Sequence, residues 1–349
     1  MAACRAERWL AGYLAGWLRA ELPMFVPSTF AVALLMTVLS TVCWGSFANT
    51  FKGTRNYRFE LYYWDYALGI FGVAVALAFT MGSYKGGPTA FVANVRSADD
   101  LNLLYAAVGG FIFNIANVLL VAGIEIVGLA VAFPISIGIA LVEGVVLSYA
   151  LQPRGNAVLL SAGVAMAVVA VVLVGKSYGA LRSGAAAVSR KGVVVCVVSG
   201  LLMGIFAPFV TRAMTHGHTL TPYTTAVFLT GGALVCCFFF NTMLMGKPIV
   251  GSPVAAGDYF RAPAGYHALG LLGGAIWGLG TVLNFVAASL VGVAISYAIG
   301  QASPMVACLW GVFAWKEFKG ANRRAKGYLA AMVVSYGMAL MLIARAYAG

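Results

Sequence analysis

The chain has 349 residues, of which 62% are hydrophobic and 9% charged, with a mean hydropathy of +0.93. That composition excludes a soluble globular protein, and the formal net charge of +12 offers no concentrated basic face for nucleic acid. The lysines and arginines sit mainly in short segments between apolar runs, where such residues set orientation in a bilayer.

Residues 1–23 are amphipathic, with Trp9, Leu10, Tyr13, Leu14, Trp17 and Leu18 on one helical stripe and Arg5, Arg8 and Arg19 around it. Two readings stand side by side: a helix lying in the membrane interface, or a protein that starts at Met24. Apolar runs follow at 27–49, 61–81, 103–124, 127–150, 156–175, 191–213, 221–245, 266–288, 291–315 and 327–346. A helix of about 20 residues spans the hydrocarbon. The runs therefore predict an all-α polytopic membrane protein with ten transmembrane helices, multi-pass in a plasma or inner membrane.

One stretch occurs twice. Residues 109–136 and 273–300 align without a gap at an offset of 164, with nine identities in 28 positions, among them Gly109-Gly110 with Gly273-Gly274 and Gly128 with Gly292. Phe113 falls opposite Trp277, and Phe133 opposite Tyr297. Ser40, Gly45, Phe47 and Ala48 recur as Ser199, Gly204, Phe206 and Ala207, at an offset of 159. The chain thus divides into a first five-helix repeat (24–175), a connecting loop (176–190) and a second five-helix repeat (191–346). An odd number of helices per repeat predicts an inverted repeat, with solute sites where the halves meet. Lys and Arg number 14 in the odd-numbered loops and 8 elsewhere, which favours odd loops on the cytoplasmic side.

Ten helices in two inverted fives, with very tight turns after the third and eighth, resemble the drug/metabolite transporter superfamily of EamA-like proteins. Ser303-Pro304-Met305-Val306-Ala307, then Leu309, Gly311, Trp315 and Glu317, is similar to that superfamily's S-P-x-x-A-x-L-x-G ending. Cys43-Trp44-Gly45-Ser46 and the aromatic-rich stretch 59–66 are similar to its glucose/ribose porter and ureide permease branch. The resemblance implies transport of a small solute, with cytoplasmic termini in several members, against the charge count. Plant members of the branch carry a central loop with a nucleotide-type motif. Here the nearest string, Ala170 to Ser177, lacks the first glycine and ends a membrane span, so it reads as chance.

No enzyme signature, cofactor motif or metal-ligand cluster is visible; His216 and His218 alone make a poor metal site, and the cysteines lack zinc or disulfide spacing. Glu143, deep in span four, is the candidate proton-coupling acid, because a carboxylate at that depth is costly unless it has a wet cavity or a partner. Asn114 and Asn117 in span three, and Thr281 and Asn284 in span eight, form polar pairs of like spacing, with Asn117 and Thr281 equivalent at the offset of 164. With Tyr297 and Gln301 in span nine they are candidate solute contacts, and Trp44 and Trp277 candidate stacking walls. Interhelical hydrogen bonds and core packing are the plain alternatives. Pro134 and Pro304 are expected to interrupt spans four and nine as gates. Asp65, taken to open span two, and Glu125, in the turn after span three, read as structural. Glu317 reads as an ion pair among Lys316, Lys319 and Arg323.

These features predict a secondary transporter of a small polar solute such as a sugar or ureide, working by alternating access with protons as the coupling ion. The partners expected are the solute, protons and lipid, with a homodimer compatible and no nucleic acid. The alternative within transport is an exporter of drugs or amphipathic metabolites, with a greasier cavity. The alternative outside it is a membrane receptor or scaffold with a closed, dry centre.

Overall fold

The computed structural model describes residues 24–54, 57–181 and 189–348. The amphipathic segment 1–23 lies outside the described residues. Among the described residues ten helices are long and apolar enough to cross a membrane, and none forms a strand. They are α1 (Phe30–Gly53), α2 (Phe59–Phe79), α3 (Asp100–Val127), α4 (Leu129–Leu151), α5 (Ala157–Gly179), α6 (Arg190–Thr215), α7 (Pro222–Gly246), α8 (Ala264–Val291), α9 (Val293–Phe313) and α10 (Arg323–Ala348). Several begin at side-chain caps: Asn156 accepts from the amides of Val158 and Leu159, and Thr221 from that of Thr224. Leu35, Val38 and Leu39 on α1, and Val334 and Met341 on α10, point outward, as apolar side chains can against lipid.

The two short turns shrink to one residue each. Gly128 (φ 78°, ψ 158°) separates α3 from α4, and Gly292 (φ 86°, ψ 153°) separates α8 from α9. That region of backbone space is open essentially to glycine alone, which accounts for the matched glycines. The matched pairs serve close packing. A Cβ on Gly110 would overlap the Leu229 carbonyl of α7, and one on Gly274 would overlap the Tyr66 carbonyl of α2. Each copy of the repeated stretch therefore presses its backbone on the second helix of the other half.

α1 begins where the Phe25 amide donates to the Met81 carbonyl and the Tyr223 hydroxyl to the Phe25 carbonyl. α6 begins at the opposite end, where Gly192 packs on Ile126 and Val127 of α3. One end, here the odd end, carries the loops after α1, α3, α5, α7 and α9, tied by Lys52 to Glu317 and by Arg58 to the Val250 carbonyl. The even end carries the loops after α2, α4, α6 and α8, tied by Asn94 to the Thr219 carbonyl and by Arg154 to the Leu290 carbonyl.

Three local expectations need correction. Pro134 does not interrupt α4, which runs on unbroken. The bond that proline forfeits, to the carbonyl of residue 130, falls near the start of the helix, and the rest of the ladder is intact. Span nine does break, at Gln301–Ala302, and Pro304 sits in the first turn of the second segment, Ser303–Phe313, where a missing N–H leaves little unpaired. Asp65 lies inside α2, not at its opening, with its side chain 4% exposed. It accepts from the Tyr259 hydroxyl at 2.7 Å and pairs with His267 Nδ1 at 2.7 Å, pinning the loop after α7 and the start of α8 to α2. Burial, and then the Asp65 carboxylate, push the nearby Tyr57 phenol up to about 12. Glu317 pairs with Lys52 of α1 at 2.6 Å and accepts from the Tyr178 hydroxyl at 2.9 Å, across the bundle and not within its own loop.

Candidate functional site

Between the two groups of five helices lies a cavity of about 340 Å³, a size suited to a small molecule. It opens at the odd end beside Phe51, Phe59 and Glu125 and reaches down to Val293 at the start of α9. Its centre is therefore neither closed nor filled.

Aromatic rings build one continuous wall. Trp44 of α1 stacks on Trp277 of α8 with centroids 6.0 Å apart, and Trp277 stacks on Phe113 of α3 at 4.8 Å. Phe113 meets Phe206 of α6 at 5.2 Å, and Phe206 meets Tyr297 of α9 at 5.7 Å. Phe113 and Trp277 are equivalents in the repeat, so corresponding residues of the two copies meet face to face at the centre. Trp44 is fixed on both flanks: its Nε1 donates to Thr281 Oγ1 at 3.2 Å, and a Cβ on Gly300 would stand 2.5 Å from its Cζ3.

Polar groups punctuate that wall. Asn117 of α3 lines the cavity, and its Nδ2 donates to the Tyr63 hydroxyl at 3.1 Å. Asn284 of α8 lines it and donates to the Ser296 carbonyl at 3.0 Å, which ties α8 to the first segment of α9. Tyr297 lines it, with its hydroxyl directed to the Ala140 and Met203 carbonyls, each at 3.2 Å. Gln301 lines it at the break in α9, is 7% exposed, and among the described residues makes no side-chain hydrogen bond. The break matters here: it stops one helix and starts another beside the cavity, and irregular backbone inside a membrane is tolerated only where it lines a cavity or is packed in protein.

Of the residues singled out in sequence, Trp44, Asn117, Trp277, Thr281, Asn284, Tyr297, Gln301 and Pro304 come together around this cavity. Asn114 does not reach it. It sits one layer back, 2% exposed, accepting from the Tyr63 hydroxyl at 2.8 Å. Glu143 and Pro134 are not in the lining either. Glu143 faces α6, against Gly204, with its Oε2 buried and without a hydrogen-bond partner among the described residues. Sequence reasoning passed over Tyr62, Phe113, Phe206 and Ser303, and it read Glu125 as structural although it stands at the cavity mouth. Phe113 carried a signal, as the repeat partner of Trp277. Glu125 carried none beyond its place in the last turn of α3.

Residues 187–346 match a family model described as ureide permease. The chain is similar to the ureide permeases. Ureide permease 1 of Arabidopsis thaliana is 22% identical over 80% of this chain and 87% of its own length. Ureide permease 5 of the same plant is 24% identical over 93% of this chain and 96% of its own. A solved crystal structure, 16% identical, superposes with a TM-score of 0.61 over 90% of this chain and 99% of that one; at such identity the likeness concerns the fold alone. Permease relatives match most of its length, and its ten long apolar helices mark this ureide-permease-like chain as an integral multi-pass membrane protein.

Proposed function

We propose that the chain is a secondary active transporter that carries a small, polar, uncharged solute through the central cavity by alternating access, with ureides the first candidates and sugars the second. Gln301 is the observation that carries this reading. A buried carboxamide with both its donor and its acceptor unspent, set in an aromatic wall, fits a planar solute that presents an amide or hydroxyl edge. Trp44, Phe113 and Trp277 supply the stacking surface, Asn117, Thr281 and Asn284 further polar contacts, and Pro304 holds the break in α9. The names of the plant relatives support the ureide over the sugar.

The inverted repeat is supported by the opposite starts of α1 and α6, by Gly110 and Gly274 making the same contact in each half, and by the meeting of Phe113 with Trp277. The ending from Ser303 to Glu317 supports placement in the drug/metabolite transporter superfamily. Proton coupling is assigned to Glu143, whose unpartnered oxygen inside a membrane helix has no structural duty.

The test is uptake of a labelled cyclic ureide and of labelled sugars into proteoliposomes, with and without a pH gradient. Saturable ureide uptake that Gln301→Leu abolishes supports the reading. Uptake of neither solute overturns it. The preponderance of aromatic and aliphatic side chains in the wall favours, as a second reading, export of amphipathic metabolites, for which net efflux of an uncharged amphipathic dye is the measurement.

A further inference from the structure

The cavity wall is lopsided, and the sequence repeat shows how. On α9 the lining runs from Tyr297 and Gln301 on to Pro304 and Ala307. On α4 it stops at Phe133 and Ile137, which are the equivalents of Tyr297 and Gln301 at the offset of 164. The next two positions of that face, Ala140 and Glu143, correspond to Pro304 and Ala307; Ala140 is buried, and Glu143, half-buried, faces α6 and stands off the cavity. A Cβ on Gly204 of α6 would stand 2.6 Å from Glu143 Oε2, and that oxygen has no hydrogen-bond partner among the described residues. Gly204 has its own equivalent in Gly45 of α1, which packs on α9 at Ser303 and Val306 and does line the cavity. The same helix pair is thus present twice, with Glu143 turned off the cavity in one half and Ala307 in the cavity wall in the other.

Arg154 is one of the side chains that tie the even end together. Arg154, in the loop after α4, donates through Nη1 to the carbonyls of Leu290 at 2.9 Å and Ser289 at 3.4 Å, in the last turn of α8. Gly292, the hinge into α9, packs directly on the Arg154 side chain. Beyond this contact lies a polar hollow of about 400 Å³ with Asn94, Gln152 and His218 in its wall. Val293 borders both that hollow and the central cavity, so a thin layer divides them.

Building on the transport reading above, we infer that in a second conformation, open at the even end and reached when Arg154 releases the α8 carbonyls, Ala140 and Glu143 join the cavity wall while Pro304 and Ala307 are packed away. Glu143 then meets the solute and the solvent from one side of the membrane only. Alternating exposure of this kind is what a coupling acid requires, and it explains why the acid lies off the cavity in the conformation seen here. Arg154 is the positioning residue of the even-end gate, acting through the backbone of α8. Its guanidinium makes no contact with the central cavity, so its effect is on which end opens.

Single cysteines at positions 140, 143, 304 and 307 test this, read by a membrane-impermeant maleimide applied to right-side-out and inverted vesicles, with labelling of the parent chain subtracted. Ala307→Cys and Pro304→Cys are expected to react from the odd-end side, Glu143→Cys and Ala140→Cys from the even-end side. Adding Arg154→Ala raises the second pair and lowers the first by roughly tenfold, the population shift from losing one charge-assisted hydrogen bond. Arg154→Lys, which keeps a donor, restores the parent pattern. The result that overturns the inference is labelling of positions 140 and 143 from the odd-end side together with 304 and 307, or from neither side, or a sided pattern that Arg154→Ala leaves unchanged. Ala140→Cys keeps the test valid if Glu143→Cys fails to fold. Labelling needs no solute, so intact ureide uptake with these negative results leaves the transport reading standing and removes only the gate.

Discussion

Gln301→Leu separates a solute-binding amide from a structural one, because its two effects have different signs. Gln301 spends neither its carbonyl nor its NH2 on the protein, so the substitution breaks no internal hydrogen bond. Leucine adds apolar surface beside the aromatic wall, and folding stability holds or rises slightly. Solute binding moves the other way. A solute amide paired with both groups loses two hydrogen bonds worth about 1–1.5 kcal/mol each and leaves its own donor and acceptor against an aliphatic wall, so affinity falls by roughly a hundredfold or more. Asn284→Leu is the contrast: it severs the 3.0 Å bond to the Ser296 carbonyl that ties α8 to α9, and it lowers stability as well as uptake. Concentration-dependent uptake in proteoliposomes reads the first effect, and thermal unfolding in detergent the second. The reasoning is refuted if Gln301→Leu keeps its apparent affinity within about twofold, or if it melts as early as Asn284→Leu.

Glu143→Gln keeps the shape of the side chain and is expected to leave a folded transporter whose uptake no longer responds to an imposed pH gradient; an unchanged response removes Glu143 from coupling. Gly110→Ala and Gly274→Ala place a methyl inside a backbone carbonyl in each half, at a cost of at least ~3 kcal/mol, visible as loss of monodisperse protein; two well-behaved variants would contradict the close packing. Asp65→Asn weakens two hydrogen bonds made by a buried charge, to Tyr259 and His267, and is expected to lower stability by about 3 kcal/mol while folded molecules still transport, checked by melting and by uptake per folded protein. Tyr57 has its folded pKa raised from 10.0 to about 12. Its contribution to stability is full below pH 10 and is lost as pH rises from 10 to about 12, because the unfolded chain ionises first. Tyr57→Phe should flatten that part of an alkaline melting profile.

Particular residues show how far the sequence reached. The length and apolar character of the runs gave ten crossings, since a bilayer admits few other solutions. Gly128 and Gly292 marked the one-residue turns because no other residue occupies that backbone region cheaply. Gly110 and Gly274, one in each matched pair, marked places where one helix presses on the backbone of another. Trp44, Trp277, Thr281 and Gln301 were found by their polarity or size within the central part of apolar runs.

What stayed hidden is which way each helix faces. In a soluble helix the apolar stripe points inward and reveals the rotation. In a bilayer the lipid side is as apolar as the packed side, so the pattern carries little rotational information. Only the tertiary structure, which brings the Tyr63 hydroxyl of α2 against α3, put Asn114 behind that phenol and left Asn117, one turn further on, at the cavity. Only the seating of α4 on α6 turned Glu143 away from the cavity while its repeat equivalent, Ala307, stayed in the wall. The apolar runs and the repeated glycines by themselves determined the number of crossings and their closest contacts, through the cost of unpaired backbone in hydrocarbon. The tertiary structure alone decided which polar side chains face the cavity and which end is open, because those follow from small rotations of helices whose faces look alike to lipid.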